Sequence, residues 1–108
     1  MAIDQYASAV SAIDPDAGAV ETAELVVTDD VLVKAFVLGP GGAVPLHEHD
    51  AATNVFHVLD GELVVTSGDE TETLAAPAVV HNERGIAHGV RNETDERAVL
   101  TASLCPLP

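Results

Sequence analysis

Cysteine is nearly missing from this 108-residue chain: Cys105 stands alone. That excludes an internal disulfide framework and a cysteine-built zinc ribbon. Aromatic residues are as scarce, with no Trp, one Tyr and two Phe. Val, Leu and Ala must then fill the interior, and they leave little bulk to plug the centre of a closed sheet. A small cavity is therefore expected. Basic residues number four (Lys34, Arg84, Arg91 and Arg97) against 18 acids, a formal net charge of −14. Such a surface repels a phosphate backbone, so no nucleic-acid partner is expected. No apolar run approaches the roughly 18–20 residues that a bilayer demands, so no membrane partner is expected either. The opening residues lack a basic segment leading into an apolar stretch, which makes the cytoplasm the default compartment.

What is present is apolar and regularly patterned. Hydrophobic residues make up 47% of the chain, too many for a disordered segment despite the charge. The acids are spread along the sequence rather than massed in a tail. Such a shell repels itself in dilute buffer, and about 1 M salt screens most of that repulsion by cutting the Debye length to roughly 3 Å. The composition reads as that of a protein adapted to a high-salt, halophilic cytoplasm, the alternative being an ordinary acidic protein.

Residues 1–20 read as an N-terminal arm, with a short helix over Ile3–Ile13 and a turn at Asp14-Pro15-Asp16-Ala17-Gly18. Residues 21–108 read as one β domain. Short β-rich runs follow one another: Glu24–Thr28, Val31–Leu38, Ala43–His49, Asn54–Leu59, Glu62–Ser67, Thr71–Ala75, Ala78–His81, Ala87–Arg91 and Arg97–Leu104. Turn signals separate them, among them Gly39-Pro40-Gly41-Gly42, Asp60-Gly61 and Ser67-Gly68-Asp69. Asp-Gly between alternating runs predicts a tight hairpin. Eight or nine short strands without a long amphipathic helix predict an all-β sandwich or barrel. Its core is expected from Leu25, Val27, Val31–Val33, Phe36, Phe56, Val58, Leu63, Val65 and Leu100.

Histidine carries the chemistry. There are five: His47, His49, His57, His81 and His88. On a strand, His47 and His49 share a face about 6.5–7 Å apart, close enough for both imidazoles to converge on one ion. Taken alone, the pair reads equally well as two surface histidines on an edge strand. If Asn54 faces inward on the next strand, Phe56 and Val58 join it and His57 faces out. His81 reads as a solvated histidine near the Gly85 turn, and Cys105 as a small buried hydrophobe.

Gly41, five residues, His47-Glu48-His49, four residues, Asn54, six residues and Gly61 together resemble the first motif of the cupin superfamily. Pro77, Glu83-Arg84-Gly85, His88 and Asn92 fit the frame of its second motif. Pro77 and Glu83 replace the usual Gly and Pro, and Asn54 replaces the glutamate that usually completes the metal set. The resemblance spans residues 24–104 and implies a double-stranded β-helix barrel. It implies a divalent transition metal (Zn, Fe, Ni, Mn, Cu or Co) held by His47, His49 and His88, with Asn54 in the glutamate's place. It further implies a metal-dependent enzyme of dioxygenase, isomerase or lyase type, acting on a small, anionic molecule inside the barrel. The alternative is a non-catalytic cupin that binds or senses a small molecule or metal. A homodimer is expected, with the arm added to a neighbour's sheet edge.

The composition yields a direct expectation. The urea midpoint should be higher in molar KCl than in dilute buffer, and equal stability in both would contradict the halophilic reading.

Overall fold

The computed structural model describes residues 3–107. Among the described residues, nine strands follow a single short helix. The helix, α1, covers Gln5–Val10, and the strands are β1 (Val20–Val27), β2 (Leu32–Leu38), β3 (Ala43–His47), β4 (Thr53–Asp60) and β5 (Glu62–Ser67). β6 (Glu70–Ala75), β7 (Ala78–Asn82), β8 (His88–Arg91) and β9 (Ala98–Cys105) complete the chain. They form two antiparallel sheets, ordered β1-β2-β9-β4-β7 and β3-β8-β5-β6. The sheets pack face to face as the flattened double-stranded β-helix barrel that the strand pattern and motifs implied.

Period-two alternation decides which residues fill the barrel. On β4, Asn54, Phe56 and Val58 are buried while Val55 and His57 lie on the other face, only partly covered. On β9, Ala98, Leu100 and Ala102 meet Leu38, Phe56, Val58, Leu63, Val65 and Val90 between the sheets. A second layer lies on the outside of the larger sheet, where Val10 packs on Ala35, Val37 and Val99. Each large aliphatic buried in these layers contributes roughly 1.5–3 kcal/mol. Val27 departs from the expected core and is 54% exposed, because it ends an edge strand at the β1–β2 turn.

The arm folds back on its own sheet rather than outward. The Asp4 carboxylate caps α1 by accepting from the Tyr6 and Ala7 amides, a cap worth about 1 kcal/mol. The Arg97 guanidinium donates to the carbonyls of Val10 and Ile13 and so pins the far end. With Val10 only 1% exposed, α1 is part of the core.

Asp60-Gly61 does not close the hairpin its sequence suggests. β4 and β5 belong to different sheets, so the turn carries the chain across the barrel instead. Gly61 takes φ +75° and lies against the Arg97 carbonyl and Ala98, a close approach that a side chain would crowd. The true two-residue hairpin is at Gly68-Asp69, where Ser67 pairs with Glu70. Gly68 supplies the positive φ there.

Gly89 lets β3 and β8 approach closely. A Cβ placed on it would sit 2.8 Å from the Val44 carbonyl oxygen, inside contact distance. Gly89→Ala should therefore destabilise the protein by about 1–3 kcal/mol, read as a lower urea midpoint. An unchanged midpoint would show that the two strands do not depend on this contact.

Candidate metal centre

β3 and β8 bring the two motifs together. His47 and His88 are directly paired across these antiparallel strands. The strand ends at His47, two residues short of the expected run, and His49 follows in irregular chain. His49 is instead tethered to the second motif, its carbonyl accepting the Gly85 N–H at 2.9 Å. Gly85 has φ +79°, a backbone state that glycine adopts without strain. At the other end of the strand pair, the Gly41 N–H donates to the Asn92 carbonyl and the Asn92 N–H to the Gly42 carbonyl, both at 2.8 Å. The glycines of both motifs therefore serve to fasten the two histidine-bearing segments side by side.

The three rings form a cluster. Their centroids lie 5.1 Å (His47–His49), 4.5 Å (His47–His88) and 5.4 Å (His49–His88) apart. The nitrogens they offer all lie within 4.8 Å of one another. Two nitrogens bound to one ion at 2.0–2.1 Å are separated by no more than about 4.2 Å, so a small inward rotation closes the set. Backbone contacts fix the tautomers. His47 Nδ1 lies 2.9 Å from the Pro45 carbonyl, and His88 Nδ1 lies 2.9 Å from the Ile86 carbonyl. A carbonyl only accepts, so each Nδ1 carries the proton and each neutral Nε2 keeps its lone pair for a metal. His88 Nε2 is buried without a hydrogen-bond partner, an arrangement that is costly unless a metal or ligand uses the lone pair. The donor set fits a divalent transition ion.

Burial favours the neutral form of His49 and of His88. Burial pushes His49 below its ordinary value, with the neighbouring His47 adding to the shift. Burial also lowers His88, although its hydrogen bond to Ile86 opposes the change and His47 and His49 reinforce it. Neutral imidazole is the form that ligates.

A cavity of about 220 Å³ opens beside the cluster. His47, His49 and Asn54 line it together with Lys34, and Leu32, Phe36, Val44, Phe56, Val90, Leu100, Ala102 and Leu104 supply apolar walls. The cavity expected from scarce aromatics is present, and both phenylalanines border it. Asn54 is 2% exposed, and its Oδ1 accepts from Asn82 Nδ2 at 2.8 Å.

Of the remaining sequence candidates, His57 lies on the outer face of β4 and His81 is exposed on β7, away from the cluster. Cys105 is exposed, contrary to the expected burial. It ends β9 on the face opposite Leu104, beyond the residues that α1 covers. The roles of three residues were missed from sequence. Asn82 was overlooked because nothing in its neighbourhood marks it as the partner of Asn54. Asn92 is 1% exposed; its amide donates to the Leu38 and Glu96 carbonyls and accepts from Thr94, so it buttresses the loop after β8. Lys34 was visible as the single lysine, but only the fold directs it inward.

Comparison with known proteins agrees with this fold. A model of the cupin domain matches residues 35–104. The chain belongs to the cupin family. Among solved structures, the cupin is similar to the protein TT1209 from Thermus thermophilus, with 31% identity over 82% of this chain and 85% of that one and a TM-score of 0.79. It shares its fold with a protein from Thermotoga maritima described as a predicted oxalate decarboxylase (22% identity, 99% and 100% coverage, TM-score 0.80). The same holds for KdgF from Halomonas sp. (18% identity, 89% and 87% coverage, TM-score 0.76). A search of curated proteins found no significant relative. Among the described residues, no helix of the cupin is long and apolar enough to cross a membrane.

The lowered histidines set a pH dependence for the metal-free cupin. A group whose folded value is depressed binds fewer protons folded than unfolded, so its contribution is complete above about 6.5 and is lost as pH falls through the folded value. The urea midpoint of metal-free protein should drop from pH 7 to pH 5, and His88→Gln should flatten that fall. An equal slope in both proteins would contradict the assignment.

Proposed function

We propose that this cupin is a metal-dependent enzyme acting on a small anionic molecule inside the barrel. The observation that carries this reading is the buried, unpartnered Nε2 of His88 within a three-histidine cluster that opens onto an apolar cavity. His47, His49 and His88 would hold the ion, with Asn54 at the fourth position. Zn, Fe, Ni, Mn, Cu and Co all suit such a donor set. A divalent ion bound there supplies Lewis-acid polarisation of an oxygen donor. Three neutral imidazoles and an amide leave its double charge uncompensated, which favours an anionic ligand. Reactions of dioxygenase, isomerase or lyase type are compatible with such a site.

The Asn54–Asn82 pair bears on the fourth ligand. Asn54 Oδ1 is engaged by Asn82, and rotating both amides reverses that bond and turns the Asn54 oxygen toward the cavity. Asn82→Asp can only accept from the Asn54 amide, so it selects the ligating orientation.

A second reading is a non-catalytic binding or sensing module. It is favoured by the absence, among the described residues, of any Asp or Glu from the cavity lining, which leaves no carboxyl group there for proton transfer. The protein is read further as a cytoplasmic homodimer of a high-salt organism. All 18 acids are exposed, which supports the salt reading.

Protein prepared without a histidine tag should take up one equivalent of divalent metal. His47→Ala and His88→Ala should each lose it, by about 10–100-fold or more in affinity, while retaining a β circular-dichroism spectrum. Asn54→Glu and Asn82→Asp should each tighten uptake. Undiminished uptake in both histidine variants would overturn the proposal, and enzyme turnover of a small acid by loaded protein would separate it from the binding-module reading.

A further inference from the structure

Charge is segregated in this molecule. Every Asp and Glu is exposed, and none lines the cavity, whereas the chain's single lysine does. Lys34 sits on β2 with its ammonium 5.4 Å from the centre of the Phe36 ring. Its neighbour across the β1–β2 pair is Glu24, an exposed acid, yet the two form no ion pair. Among the described residues the one ion pair is Arg91–Glu93, so Lys34 has no carboxylate partner in a chain carrying 18 of them. An ammonium with no carboxylate partner, set beside an apolar wall, can receive an anionic group of a ligand.

The sheet register locates this charge relative to the histidines. Lys34 pairs with Ala102 on β9, and Ala102 with Phe56 on β4. Lys34 and Phe56 therefore stand in one inward-facing row, two strands or roughly 10 Å apart. Phe56 in turn packs edge-on against His88, with centroids 5.5 Å apart. The histidine cluster and the ammonium thus flank one apolar cavity.

We propose that Lys34 is a specificity-determining residue that receives an anionic group on the substrate, at a distance from the group that meets the metal. The ligand class is an acid with two oxygen-bearing ends joined by a short apolar segment, such as a small dicarboxylate. One end lies at His47, His49 and His88, the other accepts from the Lys34 ammonium, and the segment between rests on Phe36 and Phe56. The acidic exterior repels such anions, so the positive interior must supply the attraction.

This inference rests on the metal reading above, and its test separates the two. Binding of adipate and of hexanoate, which has the same chain but one carboxylate, is measured by calorimetry with zinc-loaded and with EDTA-treated protein. The zinc-loaded wild type should prefer adipate by about tenfold, the contribution expected of one charge-assisted contact. Lys34→Met should bring the ratio close to one while leaving zinc affinity unchanged, and Lys34→Arg should keep most of the preference. In EDTA, Lys34→Met should weaken hexanoate. An adipate preference equal in wild type and Lys34→Met, or one absent from the wild type, overturns the proposal. If zinc improves neither ligand while Lys34→Met still weakens both, the anion site stands and the metal reading falls.

Discussion

The pairing of His47 opposite His88 across β3 and β8 is the constraint on which the rest of this molecule depends. The two residues are 41 positions apart in sequence, and only a long-range antiparallel pairing brings them face to face. That pairing is held from several sides. Gly89 permits the close approach, the Gly41, Gly42 and Asn92 backbone bonds close one end, and the Gly85–His49 bond closes the other. The glycines matter to the site because they fix where two backbones meet. The backbone then fixes the imidazoles, since the carbonyls of Pro45 and Ile86 set the tautomers of His47 and His88.

A second theme is the separation of polar roles by depth. The exterior carries the acids, and the interior carries apolar aliphatics, three buried asparagine amides and His88. Such an exterior supports solubility and is screened in strong salt, whereas the cavity keeps a low dielectric in which one positive group counts heavily. Burial both leaves the His88 lone pair without a hydrogen-bond partner and favours the neutral ring. The feature that makes the site costly to the fold is therefore the same one that makes it able to ligate.

Much of this was legible in the sequence, for physical reasons. The alternation in Asn54–Leu59 follows from one buried and one outer face, so β4 could be placed closely. The two histidine motifs could be read because turn glycines and ligands recur at fixed spacing. The partners were less visible. Asp60-Gly61 has hairpin chemistry but joins two sheets, because which strands pair is decided by the whole barrel. The arm was read as free to reach a neighbour, but Val10 and Arg97 hold it on its own sheet. Asn82 and Lys34 carry no local signature. Their importance comes from facing Asn54 and the cavity, and that follows from register alone.

X-ray absorption spectroscopy of cobalt-loaded protein addresses the proposed ligand set most directly. Three nitrogen scatterers of imidazole type at roughly 2.0–2.1 Å, reduced by one in His49→Ala, are the predicted result. A spectrum of oxygen ligands alone, unchanged by the substitution, would place the ion on the acidic surface and contradict the account.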